Sequence, residues 1–491
     1  MKSQPSVAII GAGVNGLTCA AYLARAGFSV DIFEKAHRTG GLCVSETPFA
    51  GSKVQVSSLA SSCLFLPESL VEELELPKTL KFYKATTPHI VLFENAQFSS
   101  DSLSNADKNG WAAFQAEMAK AAQLIYPYYL KPETNKAAIQ EVLRLAGQGE
   151  LARAIFSESL FDYAGKFFQD ENLLAIIGAQ KNIFAGQTGS IFAYIHETID
   201  KTKLEGGMGK LSEALTKSAQ SAGARIHLNK GVRALKTTGD LVTEIDFESG
   251  ESLAFDIVIA ATCQKTLFGS LLGENTPSGI TVHVEVNKPR LTAARLHFLL
   301  RSLPRFTALQ MLETHRSITL PISLQAAAKA RESIERSTMP QALTLTLELE
   351  KSGDNETLLS VDVHHLPTTI KGKPWSEADD RALLALVIDT IEKYAPGFSE
   401  LIKESYLISP RTLKESFNLE ALSPWHQSAE FLFEQRALPT LPHYHTPFEN
   451  LFICSASTYP TGDVTLANGH NLAKLICKSV DISPPNVLST N

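Results

Sequence analysis

The sequence is short of cysteine. Six stand among its 491 residues, at positions 19, 43, 63, 263, 454 and 477. None forms a CxxC pair or lies at zinc-ligand spacing from a histidine, so a disulfide framework and a structural zinc are both excluded, and the thiols read as free or buried in a reducing compartment. An excess of positive charge is also missing. The net charge is -7, which argues against a general nucleic-acid binder. No apolar run is long enough to span a bilayer. The apolar stretch from Ser6 to Ala24 follows Lys2, but Gly11, Gly13, Gly16 and Asn15 interrupt it and no cleavage site follows, so it reads as part of the fold rather than as a signal peptide. Internal repeats and low-complexity runs are lacking. No GxSxG motif accompanies Ser57, Ser58, Ser61 and Ser62, which read as loop or cap residues. His443 and His445 are two histidines without a third ligand, so no metal site is expected.

What is present is a chain too long for one hydrophobic core, which predicts two or more domains. Its composition, 44% hydrophobic and 20% charged, is that of an ordinary globular protein. The strongest local signal lies in the first fifty residues. Val7 to Ile10 reads as a short buried parallel strand. Gly11-Ala12-Gly13-Val14-Asn15-Gly16 follows at once. A helix is expected from Val14 to Ala26, stopped by Gly27, and then a second strand from Ser29 to Phe33 that ends at Glu34 and Lys35. Gly11 permits the tight turn, Gly13 lets backbone approach a diphosphate, and Gly16 lets helix and strand pack closely. The helix start offers unpaired N–H groups and a partial positive charge to phosphate. Glu34 is placed to accept hydrogen bonds from ribose hydroxyls, and its charge disfavours a 2′-phosphate, so NADP fits poorly. Ala12, Val14, Asn15 and Lys35 are counted with this dinucleotide site.

After Glu34 the chain runs His37-Arg38-Thr39-Gly40-Gly41-Leu42. Here it resembles the large group of flavoproteins in which a Gly-Gly pair follows the ribose-binding Glu, which implies FAD rather than NAD. That group often has Arg where this chain has Leu42. A second block, Gly206-Gly207-Met208-Gly209 with its helix, the strand from Arg225, Val232 and the buried run Ile257–Ala261, resembles the middle FAD-domain segment of phytoene-desaturase-like proteins. The resemblance implies that Val232 meets the adenine. The third block runs from Leu451 through Gly462, Asp463 and Val464 to a helix near Leu466–Cys477. It implies that Gly462 and Asp463 hold ribityl and diphosphate and that Val464 starts the helix near the flavin ring. Gly462-Asp463 stands where the family usually has a glycine run. Together with Gly186-Gln187-Thr188-Gly189-Ser190, these segments resemble the phytoene-desaturase-like FAD flavoproteins, in particular their pyridine-nucleotide-disulphide-oxidoreductase-domain branch.

The fold class expected is α/β. It comprises a Rossmann-type FAD-binding domain assembled from residues 1–65, 201–275 and 445–491, and an α+β substrate domain of residues 66–200 and 276–444 with a mixed sheet and helices. Residues 66–200 read as helical, with Phe161, Phe167, Phe168, Leu173 and Ile177 either packing helices together or lining an apolar substrate tunnel. Residues 281–365 read as strands. Leu343, Leu345, Leu347 and Leu349 alternate with polar residues at period two, pairing with 358–364 across a turn at 351–355. Ser376 caps a helix that ends before Pro396. The tail beyond Ile482 reads as loose.

The resemblance implies an FAD-dependent oxidoreductase (desaturase, dehydrogenase or oxidase) that takes hydride from an apolar, isoprenoid-like small molecule. The alternatives are a flavin-stabilised binding protein with little catalysis and a flavin amine oxidase. The last needs aromatic residues over the flavin, for which Tyr459 is the candidate. The electron acceptor is left open among O2, quinone and a nicotinamide. The expected location is cytoplasmic, with peripheral membrane contact allowed for delivery of an apolar substrate.

Overall fold

The computed structural model describes residues 4–64, 66–84, 90–94, 96–179, 185–198, 201–286, 290–309, 317–352, 356–419, 443–460 and 463–480. Two sheets organise it.

The first has five parallel strands in the spatial order Leu451–Ile453, Ile257–Ala260, Ser6–Ile10, Ser29–Phe33 and Arg225–His227. Apart from Ser6–Ile10 beside Ser29–Phe33, neighbouring strands come from distant stretches of the chain. Both faces are covered, which is why the inner strands run apolar without alternation at Val7–Ile10 and Ile257–Ala260. Val7, Ile9, Val30 and Ile32 face one core and Ala8, Ile10 and Phe33 the other. The first core is closed by the helices Val14–Arg25, Gly209–Ser221 and Ala467–Ser479. The last of these crosses the first closely: a Cβ on Gly469 would stand 2.5 Å from the Asn15 carbonyl oxygen. The second core is closed by an antiparallel three-stranded sheet, Val232–Thr238, Leu241–Phe247 and Ser252–Leu253, and by the helical turn Lys265–Leu271.

The second sheet has seven strands in the order Ile402–Ile408, Leu291–Leu300, Glu356–Pro367, Leu345–Ser352, Ser317–Leu320, Ile90–Phe93 and Ala96–Gln97. All neighbours are antiparallel except Ile90–Phe93 beside Ser317–Leu320, so the sheet is mixed. Its faces differ in kind. Leu296, Phe298, Leu345, Leu347, Leu359, Val361 and Val363 pack against the helix Glu377–Tyr394 through Leu383, Val387 and Ile391. Ser376 starts that helix with a capping box, its hydroxyl accepting from the Asp379 N–H while the Asp379 carboxylate accepts from the Ser376 N–H. The intervening polar residues point the other way.

Most of 66–200 is helical as expected, but it also supplies the strand Ile90–Phe93 to the second sheet. The stretch 281–365 is not strand throughout. It holds the end of the helix Ser278–Val286 and the helix Leu324–Glu335, which begins at a Ser323 cap in an Ala-rich run that favours helix. Phe168, Leu173 and Ile177 lie in a closed helical core with Phe161 and Phe167 packed against it, so helix packing, not a tunnel, accounts for these aromatics. Residues 353–355 of the expected turn and the tail beyond 480 lie outside the described residues. Among the described residues no helix is long and apolar enough to cross a membrane.

Candidate functional site

The glycine turn after Ser6–Ile10 is built for a ligand that backbone must touch. Gly11 has φ +107°, and a Cβ there would stand 2.9 Å from the Ala261 carbonyl oxygen. At Gly16 a Cβ would stand 2.3 Å from the Gly11 oxygen, so only hydrogen lets the helix Val14–Arg25 leave the sheet at this angle. Gly13 is the contrast: a Cβ there meets nothing within 4 Å. No protein group requires that glycine, which leaves the mouth of the turn open to a ligand. The Glu34 carboxylate is held beside it, one oxygen accepting from the Ala12 N–H at 2.8 Å and the other from the Ala36 N–H at 2.8 Å. Asn15 Oδ1 is buried without a hydrogen-bond partner, an orphan that a bound group is suited to satisfy.

These residues open on a cleft of about 2040 Å³. Drug-sized ligands occupy roughly 300–1,000 Å³, so the cleft has room for a dinucleotide and a second molecule. Of the residues expected at the cofactor, Gly11, Gly13, Val14, Asn15, Gly16, Glu34, Lys35, Gly40, Gly41, Leu42, Val232, Asp463 and Val464 line it. Ala12 is fully buried behind them and works through its backbone, donating to Glu34 and accepting from the Gly40 N–H at 2.8 Å. Gly462 lies outside the described residues. A Cβ on Gly41 would stand 3.2 Å from Gly13 Cα, which shows how closely the Gly-Gly pair passes the phosphate turn. Leu42 packs on Leu59, Ile408 and Leu413. Lys35 is largely exposed and paired with Glu248 at 2.7 Å.

Two expectations change, at Val464 and at Tyr459. The last helix begins at Ala467, capped by Leu466, so Val464 does not start it; its carbonyl instead accepts from the Leu64 N–H at 3.2 Å. Asp463 therefore caps no helix. It lines the cleft and meets His196, with Oδ2 to Nε2 at 3.0 Å. Tyr459 does not face the cleft. It is buried, its hydroxyl donates to the Tyr128 carbonyl at 2.9 Å, and its ring lies edge-on to Tyr129 and stacked on His443. His443 and His445 are loop residues, donating to the carbonyls of Thr134 and His443. Among the described residues no cluster of potential metal ligands exists.

The opposite wall of the cleft is the polar face of the second sheet. Arg295, Ser317, Thr319, Thr346, Glu348, Ser360, Asp362 and His364 line it. Arg295 is only 3% exposed; its Nη1 donates to Asp362 at 2.7 Å and its Nη2 to Glu348 at 3.4 Å, while its Nε is buried without a partner. Glu348 also accepts from Lys203 at 2.8 Å. Charge therefore alternates along the row Asp362, Arg295, Glu348, Lys203. Burial alone would push the Glu348 carboxyl up, but the cations of Lys203 and Arg295 outweigh it and hold it below the usual carboxylate range. Thr346 and His364 are bonded at 2.9 Å. Beside Arg295, His297 bonds Ser360 through Nδ1 at 2.9 Å, and burial, aided by the Arg295 charge, pushes it down to about 3. Only the alternation at 343–349 announced this wall. Arg295, Asp362 and Lys203 stand on segments with no motif: register sets Arg295 opposite Asp362, with Thr346 facing the same residue from the other side, while Lys203 reaches Glu348 from the separate strand pair Phe82–Lys84 and Thr202–Leu204.

The comparisons with known proteins follow the same line. The model of the family "Flavin containing amine oxidoreductase" matches residues 15–268. The chain is 23% identical to pyridine nucleotide-disulfide oxidoreductase domain-containing protein 2 of Rattus norvegicus, over 98% of this chain and 94% of that one. It is 22% identical to one of the limonene dehydrogenase polypeptides of Castellaniella defragrans, over 98% and 96%. Among solved structures, an oxidoreductase from Methanosarcina mazei superposes with a TM-score of 0.62 at 13% identity, over 96% of this chain and all of that one. Wild-type putrescine oxidase bound to putrescine superposes with a TM-score of 0.61 at 15% identity, over 98% and 99%. At such identities the structures establish a shared fold.

Proposed function

Because the chain belongs to the flavin containing amine oxidoreductase family, we propose that it is an FAD-dependent oxidoreductase whose substrate is a small, polar, nitrogen-bearing molecule rather than an isoprenoid hydrocarbon. The observation that carries this reading is the wall of Arg295, Glu348, Asp362, Thr346 and His364 across the cleft from the glycine turn. A hydrocarbon seated there would strip water from these groups and replace none of their hydrogen bonds, at a cost of several kcal/mol. An amine, hydroxyl or amide restores them.

The work divides between the two sheets. In this reading residues 1–65, 201–275 and 445–491 form the FAD-binding domain, and 66–200 and 276–444 the substrate domain. Gly11 to Gly16 and the helix start behind them receive the diphosphate, Glu34 the adenosine ribose, and Val232 the adenine side of the cleft. When bound, FAD supplies the two-electron acceptor. The chain's own task is then to orient a C–H bond towards it. Glu348 and Asp362 accept hydrogen bonds from the substrate's N–H or O–H groups, Arg295 holds both carboxylates in place from behind, and the surrounding sheet excludes water.

The test is anaerobic mixing of the flavin-loaded protein with two panels, aliphatic amines and amino alcohols on one side and terpenoid hydrocarbons on the other. Loss of the flavin absorbance is expected with members of the first panel and none of the second. Bleaching by hydrocarbons alone would overturn the proposal. Admitting O2, a quinone or NAD to the bleached sample identifies the electron acceptor.

A further inference from the structure

The strand Leu451–Ile453 runs into a loop, residues 454–460, that is folded around one buried side chain. Asn468 is fully buried at the start of the helix Ala467–Ser479. Its Nδ2 lies 3.2 Å from the Ser455 carbonyl oxygen, 3.0 Å from that of Thr458, 3.0 Å from that of Tyr459 and 3.1 Å from Thr458 Oγ1. The Thr458 hydroxyl gives its own hydrogen to the Ser455 carbonyl at 2.8 Å, so it meets the amide as an acceptor. Four acceptors thus share two N–H donors, and only the nitrogen end of the amide fits among them. The oxygen end accepts from Thr465 Oγ1 at 3.5 Å. Gly469, next along, lies against the helix Val14–Arg25: a Cβ there would stand 2.7 Å from Thr18 Cβ and 2.8 Å from the Cys19 backbone nitrogen. The anchor of the loop is thereby fixed to the helix that opens at the glycine turn.

The order of the parallel sheet says what this loop faces. The glycine turn follows the central strand Ser6–Ile10. Glu34 follows its neighbour on one side, and Ala261 and Ser455 follow the two strands on the other. A dinucleotide with its diphosphate at the turn and its adenosine ribose at Glu34 sends its other half across Ala261 towards Ser455, Ala456 and Ser457, all of which line the cleft. We propose that Asn468 is the positioning residue for that flavin half: its amide holds the carbonyls of Ser455, Thr458 and Tyr459, and with them the part of the loop that lines the cleft. The proposal rests on the FAD reading above. Asn468, buried behind the loop, acts through it.

The test compares two ligands that share adenosine and diphosphate. FAD and ADP are each titrated into the flavin-free protein and its Asn468→Asp variant, which keeps the side-chain shape but sets oxygen among the four acceptors. FAD affinity is expected to fall about tenfold in the variant, and ADP affinity to stay that of wild type. Equal losses for both ligands, or none for FAD, overturn the proposal, since a residue that supports only the fold weakens both alike. Asn468→Ser, which retains one donor, is expected to fall between the two proteins, and it takes the place of Asn468→Asp should that variant fail to fold. If neither folds, hydrogen exchange of wild type decides: FAD, and not ADP, is expected to slow exchange at 455–459. Equal protection by both ligands, or none by FAD, overturns the proposal. Wild type that binds ADP but not FAD, or neither, refutes the FAD reading instead, so the two failures are distinguishable.

Discussion

The two walls of the cleft recognise their ligands by different means. On the first, the parallel sheet presents backbone. Gly11, Gly13 and Gly16 matter for the side chains they lack, and Ala12 works through its N–H and carbonyl while wholly buried. On the second, the mixed sheet presents side chains, with charges alternating from Asp362 through Arg295 and Glu348 to Lys203. Backbone recognition tolerates no added atom where the ligand approaches, and draws only on the partial charge of the helix start. Side-chain recognition depends on a balance of charges that a single substitution upsets. Damage to the two walls should therefore look different.

The largest effect is expected at Arg295. Arg295→Met removes the cation between the Asp362 and Glu348 carboxylates, and unfolding in urea should show a loss of about 3 kcal/mol. The double variant Arg295→Met with Asp362→Leu removes the pair together and should recover most of that loss. A double variant no better than the single one would show that charge balance is not what holds this wall.

A smaller effect is expected from pH. Burial pushes His297 down to about 3 and His470 to about 4. Both are neutral in the folded protein and gain protons on unfolding below their ordinary pKa of about 6.5. Their contribution is fully present above that value and is lost as pH falls from about 6.5 towards 4, by roughly 2 kcal/mol for each histidine at pH 5. His297→Gln should flatten the slope of stability against pH by one proton in the second sheet, and His470→Gln by one in the helix Ala467–Ser479, where His470 packs edge-on to Tyr22. An unchanged slope would contradict the burial argument. The smallest effect belongs to Lys35→Ala. Its pair with Glu248 is exposed and screened, so the urea midpoint should not move measurably.

The same contrast explains what could be read in the chain. The first wall was legible because its parts are local. Strand, glycine turn, helix and acid fall within residues 6–34, and each residue type has a steric or charge reason to be where it is. The strand Leu451–Ile453 and the helix Gly209–Ser221 were found by their apolar runs. The second wall was legible only as alternation. The period at 343–349 fixed which residues share a face, but not that the polar face looks into a cleft instead of solvent. Arg295 and Asp362 are 67 residues apart in sequence, and His196 and Asp463 are 267 apart. Nothing local marks such pairs, because pairing register and tertiary packing create them. Tyr459 misled for the same reason: its place beside the expected flavin turn is sequential, while its ring packs into the helical core.

The most direct measurement is FAD titration of flavin-free protein against its Gly13→Ala variant, followed by flavin fluorescence, with urea unfolding of both unliganded forms alongside. The added methyl meets no protein atom within 4 Å, so the two should unfold alike, while the variant's FAD affinity falls at least tenfold because the diphosphate must approach that backbone. Equal affinity in both proteins, or no binding by either, would contradict the account.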